Sequence, residues 1–128
     1  MKRYMLIASL TVVLAGLASS PALAGGPQVG KIFDCYTYGS SGLTYVQALE
    51  IKSTSVYLLA PFRKGNHLSG RAAKGRYRSH GHKISFLSGP YAQQHDSGQF
   101  RPQTANNRAT IDILDAKGNS IGISCYQH

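Results

Sequence analysis

From Ile32 to the C-terminus the chain alternates apolar and polar side chains with a period of two, as in "IFDCYTY" (32–38), "HKISFLS" (82–88) and "ATIDIL" (109–114). Such alternation marks half-buried strands, and the clusters of Gly, Ser, Asn and Pro between the runs supply turns. The pattern predicts strands over Ile32–Tyr38, Leu43–Ile51, Thr54–Ala60, Gly75–Ser79, His82–Ser88, Gln99–Arg101, Arg108–Leu114 and Asn119–Tyr126. Pro61 to Ala73 is the longest stretch expected to be irregular. About eight strands with short connections define an all-β fold, a small antiparallel barrel or sandwich in which hairpin neighbours pair.

Two hairpins can be given a register. "DAKGN", Asp115 to Asn119, fits a three-residue loop with Gly118 left-handed. Pairing Asp115 with Asn119 then sets Ile113 opposite Ile121, Ile111 opposite Ile123 and Ala109 opposite Cys125. In "KGRYRSHGHKISFLSGPY", a His80-Gly81 turn sets Ser79 opposite His82, Arg78 opposite Lys83 and Tyr77 opposite Ile84. Tyr77, Ile84 and Phe86 then point inward.

The first residues follow a different pattern. Met1-Lys2-Arg3 is a charged start, residues 5–18 are apolar, and Ala22-Leu23-Ala24 has the small-x-small form of a cleavage site. Residues 1–24 therefore read as a cleaved signal peptide. The apolar run is shorter than the roughly 20 residues a spanning helix needs, so no transmembrane segment is expected in the mature chain. Residues 25–31, rich in Gly and Pro, read as a flexible leader, and 32–128 as a single β domain of ordinary size. The expected location is secreted or periplasmic.

Export changes the meaning of the two cysteines. Cys35 and Cys125 are an even count in a small exported domain, which predicts a disulfide. Linking the first strand to the last, it would stabilise the fold by about 4–5 kcal/mol in the chain-entropy account.

Charge is segregated along the chain. The sequence has 14 Lys and Arg against 5 Asp and Glu, a net charge of +9, and loss of Lys2 and Arg3 with the signal leaves it clearly basic. No acid lies between Glu50 and His95, an interval holding Lys52, Arg63, Lys64, Arg71, Lys74, Arg76, Arg78 and Lys83. The register sets Arg78 against Lys83, an opposition of like charges that costs stability. Arg71, Lys74, Arg76, Arg78 and Lys83 are thus the candidate binding residues, for an envelope polymer, a lipid headgroup or an acidic protein. A solvated edge blocked by cations is the competing explanation.

The remaining chemistry points away from catalysis. The chain has no Gly-x-Ser-x-Gly elbow, and Asp34, Glu50, Asp112 and Asp115 fall on outward positions or in a turn. His95 and Asp96 are merely adjacent in a polar loop. His80 and His82 would flank a turn tip rather than project together, and His67, His95 and His128 are distant in sequence, so no metal or other cofactor is expected. A non-catalytic binding protein is the reading from residues.

Two resemblances add alternatives. The barrel pattern with "GRYRSHGHKISFLSGPY" looks like the calycin-like and avidin-like barrels of secreted proteins, which implies a central cavity for a small apolar ligand. "SGLTY", Ser41 to Tyr45, is similar to the Ser-Gly-x-x-Tyr stretch of periplasmic inhibitors of c-type lysozyme. That resemblance implies an inhibitory contact made by Ser41 and Tyr45. The residues alone read instead as a turn entering a strand, with Tyr45 on the face of Leu43 and Leu49.

Overall fold

Alternating side chains leave each strand one face to bury, and the chain buries all of them against a common axis. The structure, a computed structural model, describes residues 25–102 and 108–128; the signal peptide expected at 1–24 lies outside them. Among the described residues ten strands and one short helix follow in order: β1 (Ile32–Gly39), β2 (Gly42–Ile51), β3 (Val56–Ala60), β4 (Phe62–Lys64), β5 (His67–Ser69), β6 (Ala73–His80), β7 (Lys83–Phe86), α1 (Gly89–Gln93), β8 (Ser97–Arg101), β9 (Thr110–Leu114) and β10 (Ser120–Gln127). Eight of them close an antiparallel barrel in the order β1-β10-β9-β8-β7-β6-β3-β2. No described helix is long and apolar enough to cross a membrane.

The barrel closes where the first strand meets the last. Cys35 and Cys125 are direct cross-strand partners there and form the expected disulfide, fully buried beside Phe33, Leu49, Ile111 and Ile113. The interior is occupied by side chains, including an aromatic cluster in which Tyr57 stacks on Tyr91 at 5.7 Å and Phe86 packs against both. Tyr91 belongs to α1, whose Pro90 suits a first helical turn. Gly75 and Gly89 allow this packing, because a Cβ on Gly89 would lie 2.6 Å from the Gly75 Cα. Toward the other end of β6, Pro27 of the leader is buried and Gly26 lies against Ser79.

The strand assignments err mostly where segments are short. Pro61 to Ala73, expected to be irregular, contains the β4–β5 hairpin, turned by Gly65 with φ 57°. Three-residue strands carry too few alternations to register as a period.

Three register details differ from expectation. The β6–β7 turn is Gly81-His82, so His80 pairs with Lys83, Ser79 with Ile84, Arg78 with Ser85 and Tyr77 with Phe86. Gly81, at φ 60°, takes the first central position, the glycine site of a type II′ turn, and no histidine needs a positive φ there. The shift is two residues, so inward and outward faces are kept, but the expected opposition of Arg78 and Lys83 does not exist. In β9–β10, Asp115 and Asn119 do close the turn, at 2.7 Å, but a bulge at Ile121 and Gly122 then moves Ile113 opposite Ile123 and Cys125 opposite Ile111 rather than Ala109. In β2 a bulge at Val46 turns Tyr45 to the barrel's outside, away from Leu49 and opposite Tyr36.

Candidate functional site

β6 alternates without interruption across the barrel wall. Gly75, Tyr77 and the partly covered Ser79 face inward, so Lys74, Arg76, Arg78 and His80 share the outer face and are exposed. At 3.2–3.4 Å per residue, the cations from Lys74 to Arg78 span about 13 Å. Their cross-strand neighbours are uncharged: Leu58 beside Lys74, Val56 beside Arg76 and Ser85 beside Arg78. Lys83 extends the cluster onto β7, and the exposed Arg71 lies at the approach to β6, outside the row. The ion pairs of Arg63 with Asp34 and of Arg101 with Asp112 lie elsewhere, and among the described residues none of the five candidates has an acidic partner. Glu50, on the rung of Lys74, is two strands away, about 10 Å.

A cleft of about 680 Å³ adjoins this row on the outer faces of β7 and β8. Ser85, Ser97 and Gln99 line it from the strands, His95 and Asp96 from the loop after α1, and Lys117 from the β9–β10 turn. Asp96 is half-buried; its burial, and secondarily the charge of Asp115, push its carboxyl above the ordinary value. Apart from the adjacency of His95 and Asp96, nothing in the sequence singles these residues out, because the cleft exists only through the β7–β8–β9 pairing.

The opposite side of the barrel, around β1, carries a different arrangement. Arg63 on β4 folds back over Asp34, with Nη2 2.8 Å and Nε 2.9 Å from the two carboxylate oxygens. Its Nη1 donates to the Gly65 carbonyl at 2.8 Å and lies 3.2 Å from His128 Nε2. The Tyr45 hydroxyl donates to Asp34 Oδ1 at 3.0 Å, and its ring meets Tyr36 edge-on. Burial alone would push Asp34 up, but the bonds from Arg63 and Tyr45 outweigh it and hold the carboxyl below its ordinary value. Tyr45, half-buried and donating to Asp34, is pushed up to about 12. Asp34 points away from Cys35 as its position in β1 required, but it is covered rather than solvated. Of the two residues implicated by "SGLTY", Ser41 is exposed in the β1–β2 turn and Tyr45 is tied to Asp34.

The histidines do not converge. His82 packs edge-on to Phe100 at 6.0 Å, His128 lies beside Arg63, and among the described residues no three metal-ligating side chains gather.

Comparison with protein-family models, curated proteins and solved structures returned no match.

Proposed function

We propose that this protein acts outside the cytoplasm as a non-catalytic binding module, and that the outer face of β6 and β7 holds an extended anionic partner. The observation that carries this reading is the row of Lys74, Arg76 and Arg78, exposed on alternate positions and free of ion pairs among the described residues. Three fixed cations over about 13 Å exceed what one small anion can contact, which favours a polymer or a charged surface. Lys83 broadens the row, and Arg71 lies near its start. The disulfide supports an oxidising compartment.

The register removes the argument from like-charge repulsion, since Arg78 faces Ser85. It leaves the cations unpaired, which is the property that binding uses. Replacing Arg76 and Arg78 together with Ser should leave the fold intact and reduce retention on a sulfated resin. Unchanged retention at about 0.15 M salt, where distant exposed charges are screened, would show that the row only solvates the barrel.

A further inference from the structure

We infer that the cleft beside the cationic row binds an uncharged, hydroxyl-rich stretch of an acidic polysaccharide whose charged groups lie along β6. This rests on the binding role given above to the row and names its partner class. The two features are continuous: Ser85 in the cleft is the cross-strand partner of Arg78, and Lys83 belongs to both. The volume, about 680 Å³, is in the range of small-molecule sites.

The lining differs from the row in chemistry. Ser85 and Gln99 offer neutral donors and acceptors, Ser97 Oγ donates to the Asp115 carbonyl at 3.3 Å and keeps its acceptor side, and the half-buried Asp96 adds a carboxyl that the row lacks. Lys83, Lys117 and His95 complete the ionisable lining. A partner that satisfies both regions alternates charged groups with neutral polyol. A polynucleotide fits less well, because strand recognition depends on rings available for base stacking. Of the two rings in the cleft lining, Phe86 is packed against Tyr57 and Tyr91 at 5.0 and 4.7 Å, which leaves the His95 imidazole alone for stacking.

His95 gives an independent indication. It follows the end of α1 with φ 60°, and among the described residues no other non-glycine has positive φ. Its N–H donates to Ala92 O at 3.0 Å, the kind of helix-ending position that glycine occupies without steric cost. A histidine held there in a binding cleft is strain retained for a side chain.

The test uses the mature protein and two probes, hyaluronan oligosaccharides and inorganic polyphosphate of matched charge, with melting temperature recorded for each variant. Gln99→Ala, an exposed change, should weaken hyaluronan binding about two- to tenfold, the worth of one or two hydrogen bonds, and leave polyphosphate binding unchanged. His95→Gly should do the same while raising the melting temperature. Arg76→Ser with Arg78→Ser should weaken both probes. Equal effects of Gln99→Ala on the two probes, or none on either, would overturn the polysaccharide assignment while leaving the row intact. Undiminished binding of both probes by the double arginine variant would instead overturn the role of the row, and with it this inference.

Discussion

Arg63 and Arg78 come from the same acid-free interval of sequence, yet they meet opposite fates on opposite sides of the barrel. Arg63 is fully engaged: its guanidinium bonds Asp34 through two nitrogens and the Gly65 carbonyl through a third, which fastens the β4–β5 hairpin over β1. Arg78 stands exposed with Ser85 across from it and no acid in reach. A cation's role is set by what the fold places beside it. Two carboxylates show the same contrast in reverse, since Asp34 is held low by its partners and Asp96 is pushed up by burial in the cleft.

The largest effect on stability is expected at the seam beside Asp34, where the disulfide joins β1 to β10. Replacing Cys35 and Cys125 together with Ser should cost about 4–5 kcal/mol, given a closed loop of 90 residues, and denaturant unfolding measures it. A loss below about 1 kcal/mol would mean that β1 and β10 hold together without the bridge. Next in size, Arg63→Ala strands a largely buried carboxylate and should cost about 2–4 kcal/mol. Hydrogen exchange should then report faster opening of β4 and β5, with β6 and β7 unaffected.

A pH series separates the two carboxylates by sign. Asp34, depressed in the fold, contributes stability that is complete above the ordinary value of 3.8 and is lost as pH falls through the lower folded value. Asp96, raised in the fold, has the opposite sign: its contribution is present below the unfolded value and is lost as pH rises through the folded one. Arg63→Ala should therefore flatten the acid limb of the stability curve, and Asp96→Asn should raise stability at neutral pH. An acid limb identical in Arg63→Ala and parent would remove the Asp34 pair from the account.

Legibility in the sequence depends on the length over which each signal acts. Period-two alternation over eight or ten residues makes β1, β2 and β10 legible, and the parity of Cys35 with Phe33 places the disulfide on the core side. Bulges are not legible. Val46 inserts one residue that leaves local alternation looking ordinary while re-aiming the side chains beyond it, so alternation alone groups Tyr45 with Leu49; the Ile121-Gly122 pair inserts two, which keeps the faces and moves the cross-strand partners. The cation row is legible because alternate residues on one strand must share a face whatever the register. Arg63 reads as one more of those cations because its acidic partner is 29 residues away, and only the folded β4 brings them together.

The smallest expected effect on stability belongs to the cationic row itself. Arg76→Ser with Arg78→Ser should change unfolding free energy by less than about 0.5 kcal/mol, as unpartnered surface changes usually do. The direct measurement is the salt dependence of polyanion binding by this variant and the parent. Each cation that releases a counterion contributes about 0.9 to the slope of log affinity against log salt concentration, so the variant's slope should be shallower by about 2, with weaker binding at every salt concentration. Identical slopes and affinities in a folded variant would contradict the account, leaving Arg76 and Arg78 as solvated ornaments of a barrel whose binding surface lies elsewhere.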